Sequence, residues 1–355
     1  MQQSGGANTP FFMLASLTRA QALIVIAALA LLVALSLMVR PASSEGAITG
    51  DGTYSDVQLY RDVAHAVASG EGYYPAATRL HRLHGFPTRP FITVRLPTLA
   101  WIEAGLGWRA THILLLALLG ATALAWFSML RPLAGTAERF GASLLVVAGG
   151  AMAASDELVV THELWAGVLV ALALAMTVRG NLFAGLASAA CALAIRELAV
   201  LFVLVAGASA FQKRQFRAAF CWAGLLAGYT VVLYLHWRAV APMSLPEDAL
   251  SQGWSGMRGP AAPLRDIAEV TLINLAPQPL SYCLVMLALA GFLSAPPSVA
   301  RMAIPYLALV AALLAIFARP VNFYWAILAT PTAMAGLAFL PRLAGDLLWG
   351  LRRRA

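Results

Sequence analysis

The 355-residue chain is 61% hydrophobic and only 11% charged, with a formal net charge of +8 and a mean hydropathy of +0.77. A soluble domain is nearer half apolar and a quarter charged, so this balance excludes an ordinary soluble enzyme and predicts an all-α, polytopic integral membrane protein. In such a chain a basic balance reflects orientation and contact with membrane lipids that are anionic, not nucleic acid.

In chain order, the first apolar run covers residues 23–39. It follows a lengthy polar N-terminus, and only a weak small-residue cleavage site follows it, so it reads as an uncleaved first span. Ten candidate spans follow from the apolar runs: 21–39, 110–130, 139–155, 161–178, 181–195, 197–211, 219–239, 278–295, 301–318 and 322–341. Together they make one integral membrane module, 1–355. The three cysteines, Cys191, Cys221 and Cys283, all fall in these runs and read as small core residues rather than disulfide or metal partners.

Between the first two spans lies a long polar loop, 40–109. Ser55 followed by Gln58 is a capping box. Val57, Tyr60, Val63, Ala64 and Val67 recur at helical spacing and Gly70 is a stop, so 56–69 is expected to be an amphipathic helix lying on the membrane surface. Asp56 falls in its first turn, where the helix dipole favours a carboxylate; it either supplements the cap or accepts a hydrogen bond from a hydroxyl. Arg79, His81, Arg82, His84, Arg89 and Arg95 follow within seventeen residues, on a path stiffened by Pro75, Pro87, Pro90 and Pro97. Such a crowd beside a bilayer suits a phosphorylated lipid head group, or a general basic patch. His81 and His84 lack a third ligand, so no metal is assigned to them.

Further along, Asp156 and Glu157 precede His162 and Glu163, which open the fourth span. Three carboxylates and an imidazole can hold a divalent cation or position sugar hydroxyls, or can simply solvate a helix end. Arg196 and Glu197 interrupt two apolar runs. On a helix, adjacent residues diverge by about 100°, so the pair is not expected to close on itself. Arg319 is a candidate phosphate ligand; Asn322, Tyr324 and Trp325 suit carbohydrate contact or an interfacial aromatic belt. A second outer loop, 241–277, carries Gly, Pro and Trp and reads as a mobile cover.

With the N-terminus in the cytoplasm, the short loops place twelve Lys and Arg inside against five outside, while seven more sit in the long first loop, which counts weakly. Both termini are then cytoplasmic. Asp51, Asp56, the 156–163 cluster, Arg196, Glu197, Arg319 and Asn322 all emerge on the outer face, and their convergence predicts one site.

The motif D-x-x-x-Y at Asp56–Tyr60, with G-x-x-Y-Y from Gly70 to Tyr74 in a large loop after the first span, resembles the GT-C glycosyltransferases. The resemblance implies a membrane enzyme, in a bacterial inner membrane, that moves sugar from a polyprenyl-phosphate donor to a lipid or glycan acceptor on the outer face. It implies inversion at the anomeric carbon and a catalytic carboxylate at Asp56, with Asp51 as second choice. Tyr60, His81, His84, Arg89, Arg95, His162, Glu163, Arg196, Glu197, Arg319, Asn322 and Tyr324 are the expected substrate contacts. No cofactor is required, a divalent cation being optional. The chain departs from many members in having no soluble C-terminal domain. A lipid-linked-sugar flippase and a non-catalytic assembly subunit are the alternatives.

Overall fold

The computed structural model describes residues 14–40, 54–251, 253 and 256–352; Asp51 lies outside them. Every regular element among the described residues is helical, with a single isolated bridge pairing Arg89 and Leu250. Helix α1 (Arg19–Leu37) opens on a Thr18/Gln21 capping box. Three loop helices follow: α2 (Asp56–Ala68), α3 (Tyr73–Leu83) and α4 (Thr98–Leu106). The main bundle contains α5 (Trp108–Met129), α6 (Thr136–Gly149), α7 (His162–Val178), α8 (Leu182–Ile195), α9 (Val200–Gln212) and α10 (Phe216–Val240). In the second long loop, 241–277, lies α11 (Ala262–Glu269), followed by α12 (Gln278–Gly291) and α13 (Pro297–Ile316). The chain closes with a 3-10 segment, Pro320–Leu328, then α14 (Thr330–Ala335) and α15 (Leu340–Arg352).

Among the described residues, four helices are long and apolar enough to cross a membrane: α1, α5, α10 with its short extension, and α13. The bent pair Pro320–Leu328 and Thr330–Arg352, at 59°, makes a fifth if it counts as one span. The ten apolar runs therefore do not translate into ten full-length helices. Helices α7, α8, α9 and α12 are apolar but short; fourteen residues rise only about 21 Å against a hydrocarbon core of about 30 Å. The run at 139–155 is helical only to Gly149, and continues as 3-10 turns through Val160.

Helix α7 is central. It packs on α5, α8, α13, α14 and the 320–328 segment, and nearly its whole circumference is buried, as expected for a helix apolar on all sides. Close backbone approach needs small residues here. A Cβ on Gly149 would collide with the Thr330 carbonyl, bringing α6 against α14. Gly291 and Gly336 meet in the same way, joining α12 to the final segment. By contrast, α1 and α10 keep most of their apolar surface open, as lipid-facing helices do.

The first long loop folds into a lobe with its own core of Leu59, Val63, Ala64, Tyr73, Ala77, Leu80, Val94 and Ala100, closed by Val240 from α10. The capping box of α2 is present, Ser55 accepting from the Gln58 amide. Its apolar side packs against α3 and α4, so the helix buries that stripe in protein rather than laying it on lipid. Pro75 is tolerated in α3 because it sits in the first turn, where no amide partner is lost.

Candidate functional site

Where the lobe meets the bundle there is a cavity of about 280 Å³. The lobe contributes Asp56, Tyr60, His81 and Arg95; the α8–α9 junction contributes Arg196 and Glu197; the segment after α13 contributes Arg319, Asn322, Tyr324 and Trp325. The second long loop reaches it through Ser251 and Gly253. Of the groups expected to converge, Asp56, Arg196, Glu197, Arg319 and Asn322 line this one hollow, and the 156–163 cluster does not.

Asp56 is the first residue of α2, held there by the Ser55 cap. Its Oδ2 accepts a hydrogen bond of 2.9 Å from the Tyr324 hydroxyl, across 268 residues of chain. A carboxylate has about four lone-pair sites, so this bond leaves room for an acceptor hydroxyl. Arg95 Nε donates to the Tyr60 hydroxyl at 3.1 Å. Burial pushes the Tyr60 pKa up to about 12, so the phenol keeps its proton. Arg95 Nη1 also lies 3.5 Å from Glu197, and its guanidinium pKa stays raised by Tyr60 and Glu197 in spite of burial, which pulls it the other way. Burial pushes the His81 pKa down, leaving a neutral ring at neutral pH whose Nδ1 donates to the Ala77 carbonyl at 2.7 Å.

Arg196 is fully buried. Its Nε lies 2.7 Å from Glu163 of α7, an ionic contact off the N–H direction, and its guanidinium stacks over the Trp325 ring at 5.7 Å. It also pairs with its neighbour Glu197. That contact corrects the expectation that adjacent side chains would diverge. Arg196 has left the helix, at φ −142° and ψ 119°, and Glu197 begins a 3-10 turn, so the helical 100° offset does not apply. Arg95, Glu197, Arg196 and Glu163 thus form one chain of alternating charge running from the lobe into the bundle.

Other expected contacts lie elsewhere. Glu163 stands behind Arg196, and His162 meets Tyr60 edge-on at 4.6 Å behind the cavity wall. His84 stacks on Tyr54, 3.4 Å between centroids. Arg89 donates to the carbonyls of Pro246 and Asp248 at 2.7 and 3.0 Å. Arg79 pairs with Glu71 and Arg82 with Asp248. Of the basic run, only His81 and Arg95 line the cavity; the rest hold the lobe and its strap together. Asp156 turns outward to Trp108 at 2.7 Å and His112 at 3.2 Å, so the 156–163 cluster disperses. Among the described residues no three His, Cys, Asp or Glu side chains gather to hold a metal ion.

Three features escaped the sequence reading. His236, near the end of α10, contacts the Val94 carbonyl through Nε2 at 2.9 Å and the Tyr74 hydroxyl through Nδ1 at 3.2 Å, tying lobe to bundle. A lone histidine late in an apolar helix was the available signal. Glu103 is buried in the lobe beside Tyr60, Tyr73 and His162. Asp248 anchors the second long loop, the strap over the lobe, accepting from Arg82, Thr88 and the Leu245 amide.

Comparison of the chain with models of protein families, with curated proteins and with solved structures gives no match.

Proposed function

We propose that this cavity is the active site of a membrane glycosyltransferase of GT-C type, working on the outer face of a bacterial inner membrane. The reading takes sugar from a polyprenyl-phosphate donor and gives it to a lipid or glycan hydroxyl. The observation that carries it is the shared cavity: the Asp56 carboxylate faces the same hollow as Arg95, Arg196 and Arg319. Asp56 accepts the proton of the acceptor hydroxyl. The hydroxyl oxygen attacks the anomeric carbon as the bond from that carbon to the phosphate oxygen breaks, and the electron pair leaves on the phosphate. Guanidiniums neutralise the leaving group. A guanidinium has five donors, so Arg95 and Arg196 retain N–H groups beyond those directed at Tyr60 and Glu197. Tyr324 positions Asp56, and Asn322 and Trp325 offer polar and flat apolar contacts to a sugar ring.

A carrier for lipid-linked sugars is the second reading. It is favoured by the break at Arg196 and the 59° bend beyond Pro320, since discontinuous helices line transport sites. The test is Asp56→Asn in the full chain, incubated in membranes with a panel of radiolabelled polyprenyl-phosphate sugars. The expected result is release of polyprenyl phosphate by the parent and a loss of at least about 100-fold in the variant, as for removal of a general base, with donor binding kept. No release by the parent, or undiminished release by the variant, overturns the enzyme. Donor movement between leaflets that survives Asp56→Asn supports the carrier.

A further inference from the structure

A second hollow of about 220 Å³ lies at the opposite ends of the same helices. The first site uses the junction after α8 and the segment that follows α13, with the beginning of α7 just behind its wall. The second lies among the end of α7 (Thr177), the start of α8 (Leu182), the end of α9 (Ser209, Lys213), the start of α10 (Gln215, Trp222) and the start of α13 (Met302). Its floor is the buried Trp222 ring, edge-on to Phe202 at 6.1 Å. Lys213 stands at its exposed mouth.

Two observations point to an anion. The Ser209 hydroxyl is 3% exposed, lines the hollow and has no hydrogen-bond partner; an orphaned buried hydroxyl is costly unless something else satisfies it. No carboxylate pairs with Lys213 among the described residues; partial burial, and after it the charge of Arg301, push its pKa down. An oxyanion in the hollow would satisfy the Lys213 ammonium and the Ser209 hydroxyl together. The flanking Arg179, Arg214 and Arg217 extend the same sign of potential around the mouth.

We propose that this hollow binds a phosphate oxyanion, with the Lys213 ammonium as counter-charge and the Ser209 hydroxyl and Gln215 amide as neutral donors. The phosphate belongs either to a phospholipid head group or to a free phosphate, and the chemistry of recognition is common to both. The inference is independent of what the first cavity does.

The test is thermal unfolding of the full chain in neutral detergent, titrated separately with dioctanoyl phosphatidylglycerol, dioctanoyl glycerol and inorganic phosphate. Phosphatidylglycerol is expected to raise Tm saturably while dioctanoyl glycerol does not. Lys213→Gln and Ser209→Ala should each weaken half-saturation about tenfold, in line with one charge-assisted hydrogen bond. Arg131→Gln, the same charge loss elsewhere on that face, should leave it unchanged. Saturation by inorganic phosphate as well assigns the site to a free phosphate; saturation by phosphatidylglycerol alone assigns it to a lipid head group. The proposal is overturned if neither phosphate compound acts, if dioctanoyl glycerol acts equally, if both cavity variants bind like the parent, or if Arg131→Gln weakens binding as much as they do.

Discussion

The Tyr324 hydroxyl donates to one oxygen of Asp56, which makes it a probe of positioning. Removing it leaves Asp56 free to rotate while changing no charge. Tyr324→Phe is expected to lower turnover about tenfold, the scale of one hydrogen bond to a charged group, with donor binding held within twofold, roughly 0.4 kcal/mol by the usual affinity arithmetic. Equal turnover in parent and variant would show that Asp56 is oriented by its helix cap alone. Glu103 poses the opposite problem, a carboxyl with no cation to pair it. It is 6% exposed and its Oε1 has no partner. Burial pushes its pKa up to about 8, against a smaller opposing pull from Arg61. Its folded pKa therefore lies above its unfolded one, so the unfolded state releases its proton first. Stability falls as pH rises from about 4.5 toward 8 and levels off beyond. Glu103→Gln keeps the shape without the titration. Its Tm should match the parent near pH 4.5 and exceed it by several degrees at pH 8; a constant offset across that range would sink the assignment.

At the scale of elements, legibility followed how local each determinant was. Helix α2 was readable because its start, its period and its stop all lie within sixteen residues, and Ser55, Gln58 and Gly70 act where they stand. The distribution of the basic run was not, because what Arg82 and Arg89 bind is Asp248, about 160 residues later. No local spacing separates an arginine that waits for phosphate from one that pins a loop. The same strap decides whether residues 241–261 behave as a mobile cover. Asp248 ties Arg82 and Thr88 to the turn at Leu245, and the Ser251 amide donates to the Arg89 carbonyl at 2.8 Å. The strap then crosses to the end of α13, where Met257 and Gly259 donate to the Ile316 and Ala315 carbonyls. Arg82 above all, with Thr88 and the Leu245 amide, holds the Asp248 pKa well below the ordinary carboxylate range. A depressed folded pKa contributes stability that is complete above the unfolded value near 3.8 and is lost as pH falls through the folded one. The strap should stay closed down to about pH 4. Asp248→Ala at neutral pH should open it: limited proteolysis is expected to cut between residues 244 and 260 at least tenfold faster, with the helices intact, as for a local opening made cheaper by about 1.4 kcal/mol. Unchanged cleavage would mean that the α13 contacts suffice to hold it.

For the whole molecule, composition announced a helical membrane protein but overstated the number of full-length spans. Apolar runs report burial, and in the middle of a bundle a short helix such as α7 is buried by its neighbours as fully as by lipid. Hydropathy and charge together also suggest a sidedness. The candidate site lies by the α8–α9 junction and the phosphate hollow by the other ends of α8 and α9, and the short loops that carry Arg179, Lys213, Arg214 and Arg217 are at the hollow's end. By the positive-inside bias we propose that the hollow faces the cytoplasm and the Asp56 cavity the outside. That orientation can be read with thiols. A chain with Cys191, Cys221 and Cys283 changed to Ala receives one new cysteine, either Ser69→Cys in the exposed turn after α2 or Arg131→Cys in the exposed turn after α5. A membrane-impermeant maleimide applied to intact spheroplasts should label the first and spare the second; inverted vesicles should reverse the pattern. The reverse in spheroplasts would turn the protein over in the bilayer, put Asp56 in the cytoplasm, and remove the reason for expecting a donor on the outer leaflet, because the charge asymmetry and the location of the Asp56 cavity are fixed to each other by the same bundle.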